Sequence, residues 1–286
     1  MNIVSIYRKF PTEESCIAHL EAVKWKGKPV CPYCKSTKST PLPKEFRHHC
    51  NTCNTTYSVT VGTIFHNTKL DLQKWFLGVS LMLNAKKGLS SRQLSRDLEV
   101  NKNTAWFMAM RIRKAMLDNG ELLRGIVEMD ETYVGGKPRK GGRPGIPGRG
   151  TRKTPVVGMV ERKGKVIARV SPLLTSKQLT TLIRRNVSPD STLMTDDFHG
   201  YRRAHGHVRS HRIIKHSQKK YVDGIIHTNT IEGFWSLLKR GVIGQYHKVS
   251  LRHLQSYVNE FAFRYNHRQN IEVFNLTINN ALGVVA

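Results

Sequence analysis

The sequence predicts a mixed α/β chain assembled from parts: a small metal-held ribbon, a helical stretch, and a larger domain in which a mixed sheet carries helices. Three observations predict it. Four of the five cysteines form two tight pairs, Cys31 with Cys34 and Cys50 with Cys53. The apolar residues recur with helical period from Leu70 to Met116, and after Gly125 the period changes to the alternation of strands. A chain of 286 residues suits one sizeable core plus small modules.

Taken in order, Thr12 followed by Glu13 and Glu14 reads as a helix start, with Ile17, Leu20, Ala22 and Val23 giving an apolar face up to about Lys24. Cys16 on this helix reads as a small buried hydrophobe. Fifteen residues lie between Cys34 and Cys50, the loop expected between two zinc knuckles. In a reducing compartment this spacing points to a tetrahedral four-thiolate zinc site, structural because no coordination position is left open. Segments 46–50 and 55–61, rich in Thr, Val and aromatics, are expected to be the ribbon's strands.

Within the helical stretch, Ser90 or Ser91 caps a short helix carrying Leu94 and Leu98. A turn follows at 99–101, and Asn103 opens a longer helix. On the longer helix Ala105, Met108, Ala109, Ile112 and Met116 share a face, leaving Trp106, Met110 and Arg113 on another. With Lys102, Arg111, Arg113 and Lys114 on its second helix, the pair resembles a helix-turn-helix; a plain helical hairpin under a basic surface is the alternative.

Segment 126–134 alternates so that Glu128, Asp130 and Thr132 share one face while Val127, Met129 and Tyr133 share the other. The Gly/Pro-rich stretch 135–155 carries seven basic residues, Lys137, Arg139, Lys140, Arg143, Arg149, Arg152 and Lys153, and no acid; it reads as a phosphate-gripping loop beside the first carboxylate, with a solvated linker as the alternative. Segments 156–160 and 166–170 form an expected hairpin turning at Lys163-Gly164, 176–186 a helix, and 192–195 a strand ending at Asp196. Residues 202–220 hold seven Lys/Arg, four His and no acid, a basic strand-and-loop surface suited to DNA phosphate. A helix from Asn229 to Arg240 closes at Gly241, with Ile231, Phe234, Trp235 and Leu238 as its core face. Leu251 to Arg264, with Phe261, Phe263 and Tyr265 nearby, reads as a core-covering helix.

Lys plus Arg number 47 against 20 Asp plus Glu, a net charge of +27, so a polyanion, above all nucleic acid, is the expected partner. The longest uncharged apolar run, 75–83, is too short to span a bilayer, and residues 1–11 lack the apolar stretch of a signal peptide. A soluble cytoplasmic protein with no membrane partner, nucleoid-associated when on DNA, is expected.

In a chain this short of acids, Asp130, Asp196 and Glu232 are the candidates for phosphodiester chemistry, which runs on carboxylates that hold divalent metal. Each has a structural alternative: Asp130 could be an edge-strand charge, Asp197 rivals Asp196, and Glu232, three residues after Asn229, could serve a capping box. Lys239 lies about two turns beyond Glu232 on the same face, where a cation could reach a phosphate.

The motifs CPYC, CNTC, VEMDETYVGGKPRK, PVVGMVER, LMTDDFHGY and HTNTIEGFWSLLKRGVIGQYH together resemble the zinc-ribbon subgroup of DDE transposases of bacterial insertion sequences, over nearly the full chain. The resemblance implies a ribonuclease-H-like catalytic domain with a mixed five-stranded sheet and helices on both faces. It implies the first Asp on the first strand, the second after the fourth and the Glu on a late helix. Matched residue by residue, the triad falls on Asp130, Asp196 and Glu232, with Lys239 as the following basic residue and Asn229 as a possible supporting partner. Asp130 and Asp196 would be shared ligands of Mg²⁺ or Mn²⁺, Glu232 would hold a second ion, and Cys31, Cys34, Cys50 and Cys53 would hold structural Zn²⁺. Double-stranded DNA, as element ends and as target, is the implied partner, with a homo-oligomer on paired ends. The expected division is an N-terminal helical lead (1–29), a zinc ribbon (30–61), a helix-turn-helix-like region (62–124) and the catalytic domain (125–286). A DNA-binding regulator without activity and a structure-selective nuclease of the same fold are the rival functions.

Overall fold

A computed structural model describes residues 1–118, 120–135, 153–214 and 227–283. Two compact units emerge: Met1–Leu117 together with Gln269–Ala286, and Asp118–Arg268. The basic residues Lys137, Arg139, Lys140, Arg143, Arg149 and Arg152 and the tract 215–220 lie outside the described residues. Among the described residues no helix is long and apolar enough to cross a membrane.

The first unit opens with α1 (Ile3–Lys9), which the sequence reading did not foresee, and α2 (Glu13–Trp25). Thr12 caps α2 through a reciprocal pair with Ser15, so two orphan N–H groups of the first turn are satisfied. The ribbon is a three-stranded antiparallel sheet, β1 (Ser39–Leu42), β2 (Arg47–Cys50) and β3 (Thr56–Tyr57). Register puts Ser39 opposite Cys50 and His48 opposite Tyr57. Trp25 packs edge-on against His48 and Tyr57 at ring separations of 5.0 and 5.7 Å, and Glu21 accepts from His48 Nε2 at 2.9 Å. These contacts tie α2 to the ribbon. Cys16 is fully buried, in keeping with a packing role.

Helices α3 (Leu72–Asn84), α4 (Ser91–Asp97) and α5 (Lys102–Ala115) follow. Ser90 caps α4 and Asn101, two residues before the expected start, caps α5. Of the four basic residues that the helix-turn-helix reading counts on α5, Arg111 and Arg113 turn inward. Arg111 donates to the carbonyls of Ile64 and His66 at 3.0 and 2.7 Å, and Arg113 is only 2% exposed. A guanidinium that satisfies loop carbonyls is spent on the unit's own backbone; Lys102 and Lys114 are the exposed pair.

The division of the chain also differs at its end. α9 (Val273–Gly283) packs with α2, α3 and α5: Phe274 meets Phe10 and Phe76, and Asn280 donates to the carbonyls of Ala115 and Leu117. Phe274, Ile278 and Ala281 form an apolar face whose partner lies early in the chain, which local pattern does not reveal. Residues 269–286 therefore complete the first unit.

The second unit is built on a five-stranded sheet in the order β6-β5-β4-β7-β8, with β4 (Ile126–Val134), β5 (Thr154–Glu161), β6 (Val166–Val170), β7 (Thr192–Asp196) and β8 (Ser210–Ile214). Neighbours β4, β5 and β6 are antiparallel, whereas β4, β7 and β8 run parallel. This is the mixed sheet expected of a ribonuclease-H-like domain. Because β4 lies in its middle, an edge-strand explanation of Asp130 falls away. Thr154 and Pro155, read from sequence as loop, begin β5.

Alternation splits the strands between two cores. Val127, Met129, Val157, Met159 and Leu193 face α6 (Ser176–Asn186). Val134, Val156, Val160 and Ala168 face α7 (Asn229–Gly241) and α8 (Leu251–Asn266). A π-helical segment, Val242–Tyr246, joins those two helices; its Tyr246 hydroxyl donates to the buried Glu260 of α8 at 3.0 Å.

Candidate active site

Three elements bring the acids together. Asp130 sits inside central strand β4, Asp196 is the last residue of the parallel strand β7, and Glu232 lies in the first turns of α7. All three line one cavity of about 580 Å³, together with Glu131 and, further along α7, Lys239 and Arg240. Strand ends beside a change of direction are where site residues collect in such sheets. Asp197 is exposed, whereas Asp196 is among the lining residues and its Oδ1 accepts from the Phe198 N–H at 3.1 Å.

Asp130 is held by the indole of Trp235, whose Nε1 donates to its Oδ2 at 3.0 Å. Burial pushes the carboxyl up to about 7, and the charges of Glu131 and Asp196 push the same way. The close approach of Trp235 depends on Gly158, opposite Asp130 in register: a Cβ there would lie 2.5 Å from the indole ring. The sequence reading had Trp235 as core only; it is 4% exposed and also a hydrogen-bond donor to the site.

The capping-box explanation of Glu232 does not hold. Thr228, rather than Asn229, is the cap of α7, and the Glu232 carboxylate accepts from the Thr228 hydroxyl at 3.0 Å. The first turn is capped from another strand: Glu128, fully buried, accepts from the backbone N–H groups of Thr230 and Ile231 at 2.8 and 3.1 Å. The sequence places Glu128 on the Asp130 face of the strand without giving it a role. The signal that could have singled it out is its place on the inward face of the strand, where a carboxylate needs partners. Glu131 points to the opposite core and accepts from the Tyr201 hydroxyl at 2.8 Å; full burial, and then the charges of Glu131, Asp130 and Asp196, push that phenol well above its ordinary range.

The four cysteines form a second centre. Their sulfurs all lie within 4.8 Å of one another, with Cys31 to Cys53 at 3.7 Å and Cys34 to Cys50 at 3.5 Å. A tetrahedron of Zn–S bonds of about 2.3 Å has edges near 3.8 Å, so the thiol set fits zinc. Among the described residues this is the one group of three or more His, Cys, Asp or Glu that gathers so closely. The three acids share a cavity wall without meeting at that distance. As hard oxygen donors they nonetheless suit Mg²⁺ or Mn²⁺.

Two family models match separate segments of the chain. A transposase zinc-ribbon domain matches residues 11–56. An uncharacterized protein in transposable element ISH50 of Halobacterium salinarum is 27% identical over 273 residues, covering 90% of this chain and 92% of its own. An uncharacterized transposase-like protein of Haemophilus influenzae is 31% identical over 107 residues, 37% of this chain and 85% of its own. Among solved structures, a Mos1 transposase paired-end complex with left transposon end is 14% identical, with a TM-score of 0.29, covering 72% of this chain and 78% of that one. The ISXO2-like transposase domain matches residues 122–266, half of the chain and the whole of the acid-lined cavity, and the chain belongs to that transposase family.

Proposed function

We propose that this transposase binds the terminal inverted repeats of an insertion sequence, cleaves the element ends by metal-dependent hydrolysis, and joins the freed 3′-OH to target DNA. The observation that carries the reading is the cavity itself. Asp130, Asp196, Glu232 and Lys239 come from two strands and a helix far apart in sequence, yet line one wall.

Asp130, Asp196 and Glu232 would hold the divalent ions, and Lys239 would position the terminal phosphate. Divalent ions, when bound, supply charge neutralisation at the scissile phosphate and ease deprotonation of the attacking hydroxyl or water. Trp235 fixes Oδ2 of Asp130. The Lys239 side chain makes no hydrogen bond or ion pair among the described residues, and it lines the cavity, so its ammonium is available to an anion. The net charge of +27 draws double-stranded DNA to the chain. The zinc ribbon and the α4–α5 hairpin, with Lys102 and Lys114 exposed, read the element ends. The chain acts as a homo-oligomer on paired ends, in the cytoplasm on nucleoid DNA.

The test is incubation of the zinc-loaded protein with a duplex carrying the element's own end and a second, unrelated duplex. With Mg²⁺, strand cleavage leaving a 3′-OH and covalent joining of that end to the second duplex are expected. Binding without cleavage would indicate a regulator, and cleavage without joining a nuclease.

A further inference from the structure

Arg162, just beyond β5, touches both strands that carry acids and the residue that leads into the helix carrying the third. Its Nε donates to Glu128 Oε1 at 2.6 Å, on β4 two residues before Asp130. Its Nη2 meets the Met194 sulfur at 3.1 Å, on β7 two residues before Asp196. The same nitrogen donates to the His227 carbonyl at 3.0 Å and faces His227 Nδ1 at 3.0 Å, immediately ahead of α7 and Glu232. Its own backbone N–H donates to the Ile126 carbonyl at 3.0 Å. Glu128 and Met194 are direct partners across the parallel β4–β7 ladder, so the guanidinium spans the seam on which two of the acids stand.

Glu128 completes the arrangement. Its side chain has no exposure and that of Arg162 has 18%. Besides the arginine it takes two backbone N–H groups of α7 and the Thr230 hydroxyl at 2.9 Å. A buried carboxylate with this many donors is tolerated only because the geometry is complete. A carboxylate also suits the positive end of a helix. Charge and cap together fix where α7 starts relative to β4. None of these atoms reaches the cavity wall; they act on the acids through the backbone that carries them.

We propose that Arg162 and Glu128 are the positioning pair of the acid site, a buried hub that sets the spacing of Asp130, Asp196 and Glu232 and so their capacity to hold divalent cations. This rests on the reading of those acids as metal ligands. The planar fork of arginine is what allows one side chain to bond β4, β7 and the segment ahead of α7 at once; lysine keeps the charge but not the fork.

The experiment is titration of Mn²⁺ into full-length, zinc-loaded protein, followed by electron paramagnetic resonance, with Asp130→Ala as the site blank. Arg162→Lys is expected to weaken Mn²⁺ binding by about tenfold or more, while the melting temperature shifts by only a few degrees and duplex DNA affinity stays the same. Glu128→Gln, which keeps the shape and one acceptor oxygen, is the second variant and is expected to move Mn²⁺ affinity in the same direction. Either variant folding normally with parental Mn²⁺ affinity would overturn the proposal. So would both variants losing fold and DNA binding together, since the pair would then be holding the sheet rather than the spacing of the acids. If the parent binds no more Mn²⁺ than Asp130→Ala, the metal-site reading fails, and the hub with it.

Discussion

The thiol centre and the acid centre reach a similar end by opposite routes. The four cysteines lie within one short stretch, on knuckles of a ribbon with little core of its own, and their sulfurs crowd within 4.8 Å. The acids stand on β4, β7 and α7, and their spacing is governed by a sheet register, a glycine opposite Asp130 and a helix capped from another strand. A site written in local spacing takes its geometry from the metal. A site gathered over long range takes it from the scaffold. Metal should therefore be part of folding in the first and part of chemistry in the second.

The largest break in that comparison comes from Asp130→Ala. Strand cleavage is expected to fall to background, a loss of about a thousandfold or more if removal of a ligand matches removal of other charge-stabilising groups, with duplex binding nearly unchanged in a gel-shift assay. Equal loss of both would make Asp130 a structural residue. Cys31→Ser should do the reverse. Structural zinc contributes apparent free energies of about 10–16 kcal/mol in isolated fingers, so bound zinc measured by atomic absorption should drop and specific end binding weaken. Unchanged zinc content would contradict the thiol site.

Gly158→Ala sharpens the scaffold side. A methyl group placed 2.5 Å from the Trp235 ring forces a shift of the indole at a cost of about 1–3 kcal/mol, seen as a lower melting temperature. Cleavage should fall further than stability alone explains, because the Trp235–Asp130 bond moves with the ring. The smallest effect is expected from Asp118, at the start of the second unit, which bonds His267 and Asn266 near its end at 2.7 and 2.6 Å. Burial by itself would raise its carboxyl, but these bonds and the charges of His267 and Lys165 hold it below the usual range. A depressed carboxylate stabilises the folded state above its unfolded pKa and loses that contribution as pH falls through the folded value. Asp118→Asn should therefore cost about 1 kcal/mol near neutral pH and little in acid, measured by urea unfolding at both pH values.

What the sequence disclosed follows the same division between local and distant. The cysteine pairs were legible from spacing, and α6 (Ser176–Asn186) coincides with its expected span because its cap and apolar period are local. The alternation of β4 put Asp130 and Glu128 on one face, but not what meets them there. Nothing near Glu128 in the chain announces Arg162 or the N–H groups of α7, which come from elsewhere in the sequence. Arg113 was misplaced because a long side chain at a helix boundary can turn inward to serve its own unit. The partner of α9 was hidden because it lies at the other end of the chain. β1 was missed because Ser39–Leu42 is short and contains a proline, a residue confined to sheet edges, where this strand lies.

The central claim is that the cavity's own acids, and not merely the family's fold, carry the phosphodiester chemistry. It is tested most directly by Asp196→Asn beside Asp197→Asn, neighbouring substitutions with the same change of charge. Cleavage of an element-end duplex in Mg²⁺ is measured alongside binding of that duplex. Asp196→Asn is expected to abolish cleavage and Asp197→Asn to leave it within a few-fold of the parent, with binding retained in both. Cleavage surviving Asp196→Asn, or lost with Asp197→Asn alone, would contradict the claim.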